Sequence, residues 1–302
     1  MKKIVLFSFL LTSTCMLNAA ITVTKLWERS RAGGNAAERV KITDTSSQRT
    51  IAVANDTIFL SDNNASVWGN SLLIHCYSTA NGDFLESFNS PKGDNVTLAD
   101  DANHIATIGT EGASSFDLSI RENGQYTKIP LGPTYKLALP AVLGDFNSTA
   151  YVFTFVANDK QIRRYTITNK AVTETKTVTI TDLNTYSYID RQTSVMPLTK
   201  DLVAVTMAQT FSTFIDMNHG DYLYNNLNRF ITKNVPVSGA LVTTQLGGDV
   251  FTYKGRVYLV QGWTPSIVDG EMYSGAFKIY EITNPTNVSV TYTHTDDLGH
   301  GY

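Results

Sequence analysis

Seven side chains in this sequence have the chemistry of a ligand site: Trp68, Trp263, Tyr273, Tyr135, Tyr186, Tyr188 and Arg191. Aromatic rings on loops stack against sugar faces or anchor a partner protein, and a guanidinium adds a directed charge. Trp68 lies in the polar stretch Asp62 to Ser71. Trp263 and Tyr273 share the stretch Gln261 to Gly275 with Asp269 and Glu271. Tyr135 precedes Lys136, and Tyr186, Tyr188, Asp190 and Arg191 fall within six residues.

Motifs for covalent or phosphate chemistry are missing. There is no Gly-x-Ser-x-Gly elbow, no Gly-x-x-x-x-Gly-Lys loop and no Gly-x-Gly-x-x-Gly loop. The histidines are His75, His104, His219, His294 and His300, and none forms a His-Glu-x-x-His pair. His294 and His300 flank Asp296 and Asp297, which reads as a polar tail. Asp62-Asn63-Asn64, Asp100-Asp101 and Asp145 carry oxygens of the kind that hold calcium. No Asp-x-Asp-x-Asn-Gly loop accompanies them, and Asp is favoured in turns by its local hydrogen bonding. No catalytic residue, metal site or cofactor is therefore assigned.

The elements that must position these residues repeat. Five strand-rich copies begin near Ile51, Val96, Ala141, Val195 and Val250, at a spacing of about 45–50 residues. Each copy reads as two short apolar strands around a polar turn, usually followed by a second hairpin. Asn55-Asp56, Asn81-Gly82, Asn123-Gly124, Lys200-Asp201 and Lys254-Gly255 mark the turns. The later half of the fourth copy, Phe211 to Phe230, is irregular. Few segments show a 3.6-residue apolar period, so little helix is expected. The pattern predicts an all-β propeller of four-stranded antiparallel blades, about five of them complete. Short turns then fall on one face and long insertions on the other, which puts Trp68 and Trp263 on one elaborated face.

Ile21 to Trp27 reads as a further strand with no partner nearby, expected as the outer strand of a closing blade. That leaves a five-bladed ring with an extra edge, an incomplete ring, or a fragment of a longer protein.

The chain has 302 residues, 42% hydrophobic and 17% charged, with a net charge of −3. This composition supports a sizeable core and gives no electrostatic footprint for nucleic acid. Lys2 and Lys3 precede the apolar run Ile4 to Leu11, with Ala19 and Ala20 after it. Residues 1–20 are read as a secretory signal peptide and 21–302 as the propeller domain. Cys15 follows Leu11-Thr12-Ser13-Thr14, a poor match to a lipidation box. No later run is long enough to span a bilayer. Cys76 then stands alone in the mature chain, expected as a buried, inert thiol in Leu72 to Tyr77.

The Lys-Lys leader, Lys25-Leu26-Trp27 just after it, and blades such as Ala150 to Ile180 resemble secreted β-propeller proteins of unknown function from Bacteroidetes-type bacteria. The resemblance implies an exported propeller linked to glycan use and carries over no catalytic residue. The expectation is an exported binding module for a carbohydrate or another cell-surface protein, located in the periplasm, at the cell surface or outside the cell. The alternative is a propeller hydrolase or lyase with a metal-assisted site on the axis.

Overall fold

The computed structural model describes residues 21, 23–24, 26–27, 51–62, 71–92, 94–110, 116–132, 140–156, 161–179, 194–206, 211–218, 231–232, 245–263, 267–268, 271–272, 277–284 and 289–294. They form five four-stranded antiparallel sheets arranged as a five-bladed β-propeller, without helix among the described residues. Blade 1 comprises β1 (Ile51–Ala54), β2 (Thr57–Asp62), β3 (Ser71–Ser78) and β4 (Phe84–Lys92). Blade 2 comprises β5 (Asp94–Asp100), β6 (Ile105–Thr110), β7 (Phe116–Glu122) and β8 (Gln125–Gly132). Blade 3 comprises β9 (Ala141–Gly144), β10 (Thr149–Val156), β11 (Gln161–Thr168) and β12 (Ala171–Thr179).

Blade 4 comprises β13 (Ser194–Thr199), β14 (Leu202–Thr206), β15 (Phe211–Asp216) and the two-residue β16 (Ile231–Thr232). β15 is a regular strand at the start of the stretch Phe211 to Phe230 that the sequence reads as irregular, and β16 follows just after that stretch. Blade 5 comprises β17 (Gln245–Tyr253), β18 (Arg256–Trp263), β21 (Phe277–Glu281) and β22 (Ser289–His294). A small hairpin, β19 (Ile267–Val268) with β20 (Glu271–Met272), is inserted between β18 and β21.

The blades stack through apolar faces. Each strand sends alternate side chains to opposite faces, so a blade packed between two others buries apolar residues on both faces. Blade 3 shows this: Val152, Tyr165 and Ile167 pack against Leu118, Ile120 and Ile129 of blade 2. Phe153, Phe155 and Ile162 pack against Val195, Val203 and Ile215 of blade 4. Ala52, Ala54 and Ile74 join blade 1 to Ile105 of blade 2. Met196 and Phe214 join blade 4 to Leu259, Tyr280 and Ile282 of blade 5. Cys76 is buried, and that burial pushes its thiol up to about 12.

One expectation is overturned. Ile21, Val23, Thr24, Leu26 and Trp27 are not strand. Instead the Trp27 indole N–H donates to the Thr79 carbonyl at 2.8 Å, docking on the β3–β4 turn of blade 1. Gly82 in that turn has φ +71, and a Cβ there would come within 2.6 Å of the Trp27 ring. Glycine is required both by the backbone and by the close ring. An isolated apolar stretch reads as a strand by alternation alone. Here the indole finds its partner in a turn 52 residues away, which periodicity cannot reveal.

Candidate functional site

The short turns gather at one end of the propeller because the first strands β1, β5, β9, β13 and β17 follow one another in space. Asn55 and Asp56 (φ 48 and 57), Asn123 and Gly124 (48 and 77), and Asn169 and Lys170 (51 and 59) all take left-handed backbone conformations. Two-residue hairpins need that geometry to match strand twist, and Asn tolerates it better than most residues. The chemistry of the turn therefore places polar side chains at the tips of blades 1, 2 and 3.

These tips enclose a cleft of about 490 Å³. Its floor is apolar, formed by Ala54, Phe59 and Ile105. Around it stand the carboxamides of Asn55, Asn103, Asn123 and Asn147, with His104, Arg121, Glu122 and Lys170. Several of these groups also tie the blades together. Lys170 Nζ of blade 3 donates to Glu122 Oε2 of blade 2 at 2.5 Å. Arg121 lies 3.7 Å over the Phe88 ring of blade 1 and 4.0 Å from Glu86 Oε1. Asn55 Nδ2 donates to the Asn103 carbonyl, and Asn55 N–H donates to the Ala102 carbonyl at 3.1 Å.

Beneath the cleft, Asp101 organises two blades. Its carboxylate accepts from the backbone N–H of Asn103 at 3.0 Å and of His104 at 2.6 Å. It also accepts from Phe146 N–H of blade 3 at 2.8 Å, and from His104 Nδ1 at 3.0 Å. Burial would raise its pKa, but these donors outweigh that and hold the carboxyl below its ordinary value. Asn147 Nδ2 faces His104 Nε2 at 3.2 Å. An amide donor on Nε2 leaves the ring proton on Nδ1, aimed at Asp101. His104, Asp101 and Asp145 bring one ligand atom each within 4.8 Å of one another, close enough for a cation. Each of these Asp101 contacts is nevertheless accounted for by its own turn and by the bond to Phe146 of blade 3. Asp145 accepts from Asn147 N–H at 2.7 Å, the local bond expected of an Asp turn.

The neighbouring Asp100 behaves oppositely. Burial raises its carboxyl above the ordinary value, despite bonds from Val53 and Ala102 and with repulsion from Asp101 adding to the rise. Asp249 on β17 is raised for the same reason, desolvation first, with repulsion from Asp100. The acidic group on the innermost strand of blade 5 thus feels the one on blade 2.

Of the side chains that the sequence nominates, Trp68, Tyr135, Tyr186, Tyr188, Arg191 and Tyr273 lie outside the described residues. Trp263 is the last residue of β18, opposite Gln245, at the strand end remote from the Lys254-Gly255 turn. The stretch Asp62 to Ser71 leaves blade 1 from the equivalent end of β2. Sequence reading missed the cleft itself. It treated the short turns as the plain face, although the signal was present: Asn at the tip of each of the first three blades.

No protein-family model matches the chain, and no curated protein matches it. Solved structures align with the chain at low identity. Dihydro-heme d1 dehydrogenase NirN in complex with DHE aligns with TM-score 0.41 and 10% identity. That alignment covers 80% of this chain and 46% of the dehydrogenase, so the chain spans less than half its length. Glutaminyl cyclase from Myxococcus xanthus aligns at 0.39 and 10% identity, over 70% of this chain and 84% of its own. The WD40 β-propeller domain of Doa1 aligns at 0.41 and 8% identity, over 82% and 76%. Likeness this distant carries nothing about activity.

Proposed function

We propose that the chain is an exported β-propeller binding module whose turn-end cleft takes a carbohydrate. The observation behind this reading is the lining of the cleft: four Asn carboxamides around an apolar floor, with charged groups at the margin. A carboxamide both donates and accepts, so several in one ring match a run of vicinal hydroxyls. The apolar floor suits the C–H face of a sugar ring, and the volume is ordinary for a small-molecule site. Export rests on the leader at residues 1–20, and amino-terminal sequencing of secreted material should begin at Ile21. No helix among the described residues is long and apolar enough to cross a membrane. Trp68, Trp263, Tyr273, Tyr135, Tyr186, Tyr188 and Arg191 would form a second contact face at the other end, for a partner protein or a longer glycan.

The test is a glycan array followed by calorimetric titration of one captured glycan. Asn147→Leu and Asn103→Leu should weaken binding at least tenfold, while Trp263→Ala leaves the binding of a mono- or disaccharide unchanged. Weakening confined to Trp68→Ala and Trp263→Ala would move the site to the opposite end. Capture of no glycan by the wild-type protein would remove the carbohydrate reading.

A further inference from the structure

The face of blade 1 turned away from blade 2 carries a relay of polar side chains in an otherwise apolar setting. Ser87 Oγ lies 2.7 Å from His75 Nδ1. His75 Nε2 lies 3.6 Å from Asp62 Oδ2. His75 and Asp62 are both buried, with 4% of each residue exposed, whereas Ser87 is exposed. The strands build this arrangement. His75 on β3 pairs with Leu60 on β2 and with Ser87 on β4. Asp62 is two residues beyond Leu60 and so shares its face.

The β3–β4 register holds the decisive detail. Tyr77 pairs with Phe84 and Cys76 with Glu86, leaving Leu85 as an extra residue. A ladder without that bulge would set His75 opposite Glu86 and turn Ser87 to the other face. The bulge therefore delivers the Ser87 hydroxyl to the imidazole. The carboxylate beside Nε2 favours the tautomer with its proton there, which leaves Nδ1 as the acceptor for the serine proton.

From this geometry we propose that blade 1 carries a second, catalytic site that hydrolyses a neutral carboxylic ester. Ser87 is the nucleophile, His75 the general base and acid, and Asp62 a positioning residue. Ser87 Oγ attacks the ester carbonyl carbon as its proton passes to His75 Nδ1. The bond to the leaving alcohol oxygen breaks, and that oxygen takes the proton back from Nδ1. Water then attacks the acyl-serine through the same imidazole, releasing the carboxylic acid and restoring Ser87. Among the described residues β4 is the outermost strand of its blade, and backbone N–H groups on its outer edge are the donors proposed for the oxyanion. Phe84, 37% exposed with its ring 6.4 Å from that of His75, and Leu85, 53% exposed, form an apolar rim. The rim suits an alkyl or aromatic ester group rather than a charged one. The 3.6 Å gap to Asp62 is long for a hydrogen bond, and such contacts commonly tighten when the imidazolium forms.

This site is independent of the turn-end cleft, and so is its test. The full secreted chain is incubated with a fluorophosphonate probe and, separately, with p-nitrophenyl acetate. Mass spectrometry should locate the phosphonyl adduct on Ser87. Ser87→Ala and His75→Gln should each lower ester hydrolysis by about a hundredfold or more. Ser87 is exposed, so Ser87→Ala should still fold, with only a small drop in melting temperature from the lost bond to His75, and a folded variant reports chemistry. Asp62→Asn should lower the rate and move its pH profile to lower pH, because the imidazolium loses its counter-charge. An unlabelled Ser87 in the wild-type protein, or equal hydrolysis by a folded Ser87→Ala, overturns the proposal.

Discussion

Two blade junctions at the turn end solve the same problem differently. Between blades 3 and 4, a long side chain fills the gap: Arg164 is 4% exposed and reaches the Lys200 carbonyl at 2.7 Å. It also binds Asp201 Oδ1 at 2.8 Å and Glu174 Oε2 at 2.9 Å. Around blades 1, 2 and 3, short bridging groups work beside the longer Lys170–Glu122 and Arg121–Glu86 pairs. Asn55, Asp101 and Asn147 reach across through backbone and amide bonds and leave a cleft above them. A polar junction becomes a binding site when its linkers are too short to fill it. Where an arginine spans the gap, the same polarity is consumed in holding the ring.

Arg164→Ala breaks this comparison most severely. It removes a buried guanidinium whose partners are themselves partly hydrated, Glu174 at 55% and Asp201 at 27% side-chain exposure. Breaking a buried pair usually costs more than this, because a bare charge is left behind. Here the stranded carboxylates can take water, so a loss of about 2–3 kcal/mol is expected from denaturant melts. Asp101→Ala should cost somewhat less, about 1–3 kcal/mol, because it leaves the Phe146 and His104 amides without their acceptor. The loss should also appear as faster amide exchange at Phe146.

The smallest effect concerns pH and has two opposing parts. Asp101 is held below its ordinary value of 3.8, so its stabilisation is present above that pH and is lost as the pH falls through the folded value. Asp100 and Asp249 are raised above 3.8, so their contribution is present below it and is lost as the pH rises through their folded values. Thermal melts should therefore show greatest stability in the acidic range, with losses as the pH falls through the folded value of Asp101 and as it rises through those of Asp100 and Asp249. Asp249→Asn should flatten the loss toward neutral pH and stabilise the protein there, by no more than about 0.5 kcal/mol, because the Asp249 side chain is exposed to water even though the surrounding protein crowds its carboxyl.

The blades were legible because their signals are local. Asn-Gly and Asn-Asp pairs fix left-handed turns, and alternation around them fixes strands. The cleft was less legible, since convergence of Asn55, Asn123 and Asn147 depends on how successive blades rotate. Trp27 was misread because its partner is a carbonyl far along the chain. The Ser87, His75 and Asp62 relay was hidden for another reason: it depends on a one-residue bulge at Leu85 that no residue type announces. Blade 3 buries an apolar cluster on each face, and against it the polar face of blade 1 stands out.

The claim that the short linkers of blades 1 to 3 create the ligand seat is tested most directly by hydrogen–deuterium exchange with and without a captured glycan. Protection is expected at the turn end, around Asn55-Asp56, Asp101 to Ile105, Asn123-Gly124 and Asp145 to Ser148. Protection instead at residues 62–71 and 261–275, with those turns unchanged, would contradict it.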